Sequence, residues 1–473
     1  MDKEYTVVEL IEGLSSGKWT SRDLVETYIK RIIEIDQNNQ KLNSIAEINP
    51  EVYEIADMLD EERKKNHLRS KMHGIPLVIK DNINTKDKMH TSASSLVLSD
   101  FYADNDAFIV RKLRDAGVII LGKANLSEFA YFMSYDNMPS GYGSRFGQVR
   151  SPYSKKIDPL GSSTGSAVAV AADLVPIAIG TETNGSLTAP AKQNSLTTIK
   201  PTVGLVSRTG IIPISHHQDT AGPIGKTVDD CAYLLQVIYG YDQEDIYTYQ
   251  IENKRFNFIK ALDRDISKDR VGFIRYTNVE YDEEELTIEE EAKRIFRDRE
   301  IEVIELEGLL EDIPNFETLV YDFKVDLNHY LATNKPVNIK SLGDIINYNK
   351  KHKDKCLKYG QSIFEAAEKT SGTLKEEEYH EFFSENRKKA SLHSNLIQEQ
   401  RLDVLISVKR TSHAPVFGNP VIAVTAKPLL DDNPKSLFFF GEKFKEDHVL
   451  PLASFYETKT KHRVRPNFKR LEE

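Results

Sequence analysis

The stretch Gly161–Ala191 constrains the fold of this 473-residue chain more than any other part of the sequence. It reads GSSTGSAVAVAADLVPIAIGTETNGSLTAPA, with serines in two glycine-rich turns that are joined by a short helical and a short strand-like segment. Glycine permits positive φ values and carries no side chain, so backbone N–H groups in such turns can approach an anion closely. The candidate partners of these turns are therefore a phosphate or a transient oxyanion.

The phosphate interpretation fails on the spacing of the residues. A P-loop places glycine and lysine five and six residues after its first glycine, but Ser166 and Ala167 stand there. The dinucleotide-binding pattern G-x-G-x-x-G is also absent from the stretch. An acyl-transfer site, with one serine as the nucleophile, is the interpretation that remains.

Three separated motifs resemble the amidase signature family and occur in that family's order. They are Gly74–Asn82 (GIPLVIKDN), Gly161–Ser166 (GSSTGS) and Glu182–Ala191 (ETNGSLTAPA). The resemblance implies a nucleophile at Ser186, a second catalytic serine with a cis peptide bond at Ser162, and a catalytic lysine at Lys80. It also implies a single large α/β domain, 1–473, in which helices cover both faces of a mixed, twisted central sheet.

The chemistry of these three residues is consistent with amide hydrolysis. A serine hydroxyl needs a base to become nucleophilic, and Ser-Lys arrangements are a known alternative to Ser-His-Asp. Lysine has an ordinary pKa of about 10.4 and serves as a base only where burial lowers that value. We therefore predict that Lys80 takes a proton from Ser162 while Ser162 takes one from Ser186, and that the reverse relay protonates the leaving amine.

The resemblance further implies an oxyanion hole made of backbone N–H groups of Thr183, Asn184, Gly185 and Ser186. Asn184 stands where many relatives have glycine, and asparagine tolerates left-handed backbone better than most residues. Ser163 is a candidate for orienting Lys80.

Taken alone, the same residues have purely structural interpretations. Lys80 fits a solvated lysine at the end of an edge strand, paired with Asp81 or Asp87. Ser162 and Ser163 fit turn residues whose hydroxyls bond to their own backbone.

Composition excludes several classes of function. The chain has 63 basic and 73 acidic residues, a net charge of −10, and no concentrated basic stripe, so we expect no nucleic-acid partner. The most apolar stretch, 167–180, contains Asp173 and Pro176 and is too short to span a bilayer, so no membrane partner is expected. The start of the chain lacks the apolar core of a signal peptide, which predicts a cytoplasmic protein.

Cysteine and histidine usage predicts no bound metal or other cofactor. Cys231 and Cys356 share no ligand spacing, which indicates reduced thiols in a cytosolic protein. His216-His217 is an isolated pair, without a further ligand at metal-binding spacing in the sequence.

Alternating strands and helices after Gly74 predict an α/β architecture. We divide the chain into N-terminal helices (1–73), a catalytic core (74–240), a helical portion that shapes specificity (241–400) and a return to the core sheet (401–473). Thr6 with Glu9, and Thr20 with Asp23, have the spacing of capping boxes and predict the first two helices.

Further helices are predicted over 51–65, 107–116, 228–239, 284–299, 374–400 and 446–460, and after the loop 123–129. The longest of them, 374–400, carries many charges and is expected to be a solvated outer helix. Strands are predicted over 77–80, 118–121, 271–274, 302–306, 402–408, 420–425 and 436–440.

Five residues depart from the family pattern, and their extra side chains are expected to narrow the pocket or to reduce activity: Thr164, Thr188, Ser195, Thr198 and Ser436. Thr188 replaces an arginine that many members carry, which argues against a substrate carboxylate gripped at that point. Pieces at 321–331 and 359–364 resemble the branch that contains bacterial peptide amidases.

Three functions remain open on the sequence alone. The first is a stand-alone amidase, monomeric or homodimeric, that acts on a small-molecule or peptide amide. The second is the A subunit of a tRNA-dependent glutamine amidotransferase. The third is a catalytically silent relative that binds a small ligand.

Overall fold

The computed structural model describes residues 3–314, 316–427 and 434–468. The strands among these residues are β1 (Ile45–Ile48), β2 (Pro76–Lys80), β3 (Ile119–Ala124), β4 (Tyr142–Gly143), β5 (Gly147–Gln148), β6 (Ala178–Glu182), β7 (Thr197–Lys200), β8 (Thr220–Gly225), β9 (Arg270–Arg275), β10 (Glu302–Glu307), β11 (Val404–Ser407), β12 (Val421–Lys427) and β13 (Lys435–Phe440).

The α-helices are α1 (Val7–Ser15), α2 (Ser21–Arg31), α3 (Val52–Lys64), α4 (Phe108–Asp115), α5 (Thr164–Ala171), α6 (Thr188–Gln193), α7 (Val228–Ile238), α8 (Phe258–Ala261), α9 (Glu283–Arg297), α10 (Glu317–Asn334), α11 (Leu342–Lys351), α12 (Lys353–Cys356), α13 (Ser362–Glu368), α14 (Glu377–Glu399), α15 (His413–Phe417) and α16 (Glu446–Thr460). Short 3-10 turns cover Leu96–Leu98, Glu128–Tyr131 and Ile246–Ile251, and a π-helical segment, Ile32–Asn39, continues α2.

A single mixed sheet runs through the molecule, and its eleven described strands follow the order β1-β3-β2-β6-β8-β7-β12-β13-β11-β9-β10. Strands β3, β2 and β6 are parallel to one another, whereas β8, β7, β12 and β13 follow in antiparallel pairs. Strand β2 therefore lies in the interior of the sheet, and every residue of Pro76–Lys80 is buried.

Helices cover both faces of this sheet, because successive side chains of a strand point to opposite sides. In β12, Ile422 and Val424 pack into the main apolar core, whereas Ala423 belongs to a separate cluster on the other face. The protein is thus a single α/β domain with a large mixed central sheet flanked by helices, as the resemblance implied.

The N-terminal helices begin where their capping boxes predicted. Thr6 Oγ1 accepts the Glu9 N–H at 3.2 Å, and the Glu9 carboxylate accepts the Thr6 N–H at 2.8 Å. Thr20 and Asp23 form the same reciprocal pair at the start of α2. Apolar residues of both helices are part of the main core, so these helices pack against the sheet.

The middle portion contains more than helices. Strands β9 and β10 pair in parallel and form one edge of the central sheet, next to β11. Helices α10, α11 and α13 pack with the segment 93–133 and with Ile212 and Ile214 in a second apolar cluster. This cluster brings the middle portion against the segment that follows β2.

The helix predicted after the loop 123–129 does not form. After the loop 123–129 only a 3-10 turn forms, because Phe129, Ala130 and Tyr131 have left-handed φ values of 48°, 55° and 72°. The long helix α14 exposes most of its charged residues on one side and buries its other side against the protein. Among the residues that the structure describes, no helix is both long enough and apolar enough to pass through a lipid bilayer.

Candidate active site

Lys80 ends β2 in the interior of the sheet, and its side chain is fully buried. Its Nζ donates hydrogen bonds to Ser162 Oγ at 2.7 Å, to Thr181 Oγ1 at 2.9 Å and to Ser163 Oγ at 3.1 Å. The nearest partners of this amine are therefore hydroxyl groups. The alternative of a solvated lysine on an edge strand is wrong, since the strand is interior and Asp81 bonds to Ser92 on its other side.

Burial controls the proton affinity of Lys80. Transfer of the ammonium out of water lowers its pKa from the ordinary value to about 7, and the charges of Asp219 and Glu182 oppose part of this shift. A substantial fraction of Lys80 is therefore uncharged at neutral pH, as a general base requires.

The two adjacent serines lie at the start of α5. Ser162 follows a cis peptide bond with Gly161, and both serine side chains are buried. Ser163 Oγ donates to the Thr181 carbonyl at 3.0 Å and accepts the Thr181 N–H at 3.1 Å, which ties the start of α5 to β6. A Cβ atom at Gly180 would lie only 2.6 Å from Ser163 Oγ, so this close approach requires glycine.

Ser186 lies in the turn between β6 and α6 and is partly exposed. Its carbonyl accepts the Ser163 N–H at 3.2 Å, which links the two serine-bearing turns directly. Its hydroxyl makes no hydrogen bond with the residues that the structure describes. The structure therefore contains the Lys80–Ser162 hydrogen bond, and among the described residues it leaves the Ser186 hydroxyl without a partner.

The turn before Ser186 has the features expected of an oxyanion hole. Gly185 has a φ of 96°, a value that favours glycine. Within the described part of the chain, the N–H groups of Asn184, Gly185 and Ser186 donate to no other atom. The next two N–H groups, of Leu187 and Thr188, donate instead to the Glu182 carboxylate at 2.8 and 2.9 Å. Three consecutive backbone donors are thus available to a ligand.

A second carboxylate holds the same turn from its other end. Asp219 accepts the Thr183 hydroxyl at 2.5 Å and the Ile214 and Ser215 N–H groups at 2.7 and 3.0 Å. Burial raises the pKa of Asp219 to about 6, although these hydrogen bonds oppose the shift. The contact between Asp219 and Thr183 was not predicted from the sequence.

A cavity of about 480 Å³ borders this arrangement through Thr181 and Thr183. One wall is apolar and is formed by Ile211–Ile214, and Asn82 lies on the side nearest Thr181. Asn82 Nδ2 donates to Thr181 Oγ1 at 3.1 Å, whereas its Oδ1 is buried without a partner among the described residues. The volume suits a small or peptide-sized ligand.

Comparison with known proteins identifies the family. The family profile described as Amidase matches residues 23–450. A probable amidase of Arabidopsis thaliana is 35% identical over 98% of this chain and 92% of its own length. This chain belongs to the amidase family. It is an enzyme that hydrolyses the C–N bond of carboxamides.

Two further comparisons bear on the branch of the family. The solved peptide amidase of Stenotrophomonas maltophilia superposes on this amidase with a TM-score of 0.91 and 36% identity, over 98% of this chain and 99% of that one. The A subunit of the glutamyl-tRNA(Gln) amidotransferase of Acinetobacter baumannii is 42% identical, but over only 51% of this chain and 47% of its own.

The five departures from the family pattern do not narrow the cavity of the amidase. All five lie in the described part of the chain, and none lines the cavity. Thr188 Oγ1 donates to Glu182 at 3.1 Å, and Thr198 Oγ1 donates to the Pro223 carbonyl at 2.7 Å. These two side chains therefore stabilise the surrounding backbone, and the expected narrowing was wrong.

The His216-His217 pair of the amidase has neighbours that the sequence did not predict. His216 Nδ1 bonds to Asp326 at 2.9 Å and His217 Nδ1 to the Tyr247 hydroxyl at 2.6 Å. Together with Asp322 they bring three ligand-type atoms within 4.8 Å of one another. Asp322 already accepts hydrogen bonds from two hydroxyl groups, and His216 and Asp326 line the cavity.

Proposed function

We propose that this amidase hydrolyses peptide carboxamides through an acyl-enzyme on Ser186, with Ser162 and Lys80 as the proton relay. The observation that carries the proposal is the buried Lys80 amine, which is hydrogen-bonded to Ser162 at 2.7 Å beside the turn of Ser186. Ser163 is a supporting residue, because its hydroxyl also contacts Lys80 and its N–H bonds to Ser186.

In the acylation step, Ser186 Oγ attacks the amide carbonyl carbon and loses its proton to Ser162. Ser162 passes its own proton to the neutral Lys80 amine, so the Lys80 ammonium forms together with the negative charge on the substrate. The carbonyl oxygen becomes an oxyanion that the N–H groups of the turn Thr183–Ser186 stabilise. The proton transfer from Ser186 to Ser162 is the step that the proposal adds to the observed Lys80–Ser162 hydrogen bond. Catalytic hydrogen bonds often form only when the substrate is bound.

The relay then runs backwards. Lys80 returns a proton through Ser162 to the amide nitrogen, the C–N bond breaks, and ammonia leaves. Water attacks the resulting ester on Ser186 with the same base, which releases the carboxylic acid and restores the hydroxyl. One water is consumed for each amide hydrolysed.

The choice of a peptide amide rests on the similarity to the solved peptide amidase, which extends over nearly the whole of both chains. The apolar cavity wall beside the site supports an acyl group that carries side chains. We further infer a cytoplasmic enzyme, monomeric or homodimeric, that needs no cofactor and binds neither nucleic acid nor membrane. Its net charge of −10 supports the last part of this inference.

An amidotransferase component and a silent relative are the alternative functions. The likeness to the amidotransferase covers about half of this chain, whereas the likeness to the peptide amidase covers 98%. A buried lysine with a pKa near 7 is a costly feature for a protein that only binds a ligand. The first observation favours a stand-alone enzyme over an amidotransferase subunit, and the second favours an enzyme over a silent relative.

Ammonia release by the purified protein alone tests the proposal. Peptide amides, aliphatic amides, aryl amides and glutamine are compared, and we expect the highest kcat/KM for peptide amides. Ser186→Ala should remove turnover, and a fluorophosphonate should label Ser186 in the folded wild-type protein. Hydrolysis of glutamine alone would favour the amidotransferase, and absence of both labelling and turnover would favour the silent relative.

A further inference from the structure

Asn184, the residue that stands where many relatives have glycine, is held at both ends of its side-chain amide. Its Oδ1 accepts a hydrogen bond from Arg410 Nη1 at 2.8 Å, and its Nδ2 donates to Ser412 Oγ at 3.1 Å. Arg410 and Ser412 lie in the loop between β11 and α15, more than 220 residues away in sequence. The nucleophile turn is therefore in direct contact with the C-terminal part of the chain.

The loop that carries these two residues is itself anchored. Asp312 Oδ1 accepts the Thr411 hydroxyl and the Ser412 N–H, both at 2.8 Å. The Asp312 N–H in turn donates to Asn278 Oδ1 at 2.7 Å. A continuous set of hydrogen bonds thus extends from the middle portion of the chain to Asn184.

Arg410 also covers the next residue of the turn. A Cβ atom built on Gly185 would lie 3.0 Å from the guanidinium carbon of Arg410, so the guanidinium occupies the side of Gly185 where a side chain would project. Arg410 is exposed, and within the described residues it has no carboxylate partner. Among those residues, the polar contact of its side chain is the hydrogen bond to Asn184.

We propose that Arg410 and Ser412 are positioning residues that hold the oxyanion turn in its active conformation through Asn184. A turn with a positive-φ glycine has more backbone freedom than other turns, and an oxyanion hole works only if its N–H groups point to one place. Fixing the Asn184 amide at both ends orients the peptide groups on either side of Gly185. This inference rests on the proposed function, because it needs the turn to stabilise an oxyanion.

Steady-state kinetics on one peptide amide test the proposal. Arg410→Ala should lower kcat roughly 3- to 10-fold, as loss of one hydrogen bond predicts, with KM within about twofold of wild type. Ser412→Ala should act in the same direction, and Arg410→Lys should recover part of the loss. In an Asn184→Gly background, Arg410→Ala should have no further effect, because the side chain that it holds is gone.

Lys409→Ala is the matched control, since it removes the same charge one residue away and its partner is Glu285. It should leave kcat within about twofold of wild type. Unchanged kcat in Arg410→Ala would overturn the proposal, as would an equal loss in the Asn184→Gly background, which indicates a direct charge effect. A wild-type protein without amide turnover would instead overturn the proposed function. Thermal unfolding of each variant establishes that it is folded.

Discussion

At the scale of single residues, the surroundings of Lys80 determine what the site can do. A lysine in contact with a carboxylate would keep its proton, but the atoms that Lys80 donates to are hydroxyl and carbonyl oxygens. Burial then lowers its pKa to about 7. The charges of Asp219 and Glu182 act on Lys80 without a hydrogen bond to it and limit how far its pKa falls.

The proposed relay predicts how the activity of the enzyme depends on pH. In the proposed mechanism the active form is the neutral Lys80 amine, so kcat/KM should rise as pH passes about 7 and level off on the alkaline side. Lys80→Ala should abolish turnover in a folded protein. Ammonia release between about pH 5 and 9 measures both effects. A flat profile, or turnover in the variant close to that of wild type, would remove Lys80 from the mechanism.

Asp219 should affect the pH at which kcat/KM rises. Its negative charge opposes the effect of burial on the pKa of Lys80, so Asp219→Asn should move the rise in kcat/KM to lower pH. The substitution also weakens the hydrogen bond that Asp219 accepts from the Thr183 hydroxyl, so kcat should fall as well. Glu244→Gln is the control, because Glu244 is exposed at the same cavity and should leave the profile in place. A shift to higher pH in Asp219→Asn would contradict the assignment.

The contact between the motifs of Lys80 and Ser162 was predictable, and the contacts of these motifs with segments outside them were not. Lys80, Ser162 and Ser163 were singled out from short motifs, and the structure brings these three side chains together. Thr181 lies in the strand-like segment of the stretch 161–191, but its contact with Lys80 was not predicted. Arg410 lies in a loop without any motif. No local pattern indicates which loop of a large domain will lie over a given turn, because that depends on the order of strands in the sheet.

At the scale of elements, capping motifs in the sequence predicted where helices begin more reliably than the sequence pattern predicted whether a helix forms. Capping boxes fixed the starts of α1 and α2, because the reciprocal hydrogen bonds involve only residues three apart. The predicted helix after 123–129 failed because tertiary contacts override propensity there. The Phe129 N–H donates to the Ala93 carbonyl, and Phe129 and Phe364 form an edge-to-face pair, which the left-handed backbone at Phe129 accommodates.

Helix α6 follows Ser186, and its first N–H groups are bound by the carboxylate of Glu182. That carboxylate accepts the first N–H groups of the helix and the Thr188 hydroxyl. Glu182→Ala should therefore lower the free energy of unfolding by about 1–3 kcal/mol and kcat by roughly 10-fold, since it frees the turn that carries Ser186. Urea denaturation and steady-state kinetics measure the two effects.

Asp60 provides a control for this prediction, because its carboxylate accepts the Ser21 and Arg22 N–H groups at the start of α2, in another part of the molecule. Asp60→Ala should lower stability by a similar amount and leave kcat within about twofold of wild type. Equal losses of kcat in the two variants would show that Glu182 acts only on global stability.

At the scale of the whole molecule, the site assembles from segments that are far apart in the chain. Strands β2 and β6 are neighbours in the sheet and bring Lys80 next to Thr181, while Asp219, just before β8, lies beside the turn that follows β6. The C-terminal strands β12 and β13 insert between β7 and β11, and the loop after β11 reaches Asn184. The sequence predicted that residues 401–473 rejoin the central sheet. It did not predict the order of the strands, because that order depends on how whole faces of the sheet pack against the helices and not on any local motif.

Keeping a lysine in the core of the sheet has a cost for global stability that depends on pH. The folded protein binds a proton at Lys80 with a pKa of about 7, and the unfolded chain does so near the ordinary value of 10.5. Between these values the unfolded chain holds more protons, so wild-type stability should rise as pH increases through this range.

Lys80→Met has no such group and should be more stable than wild type by roughly 3–5 kcal/mol below a pH of about 7, with the difference shrinking as pH rises towards about 9. Urea denaturation of both proteins between about pH 6 and 9 measures this difference, with the exposed Lys86→Met as the control that should show no such trend. A difference that stayed constant over the whole range would mean that folding leaves the proton affinity of Lys80 unchanged. Lys80 would then keep its proton throughout, as a solvated lysine does, and could not act as the base of the relay.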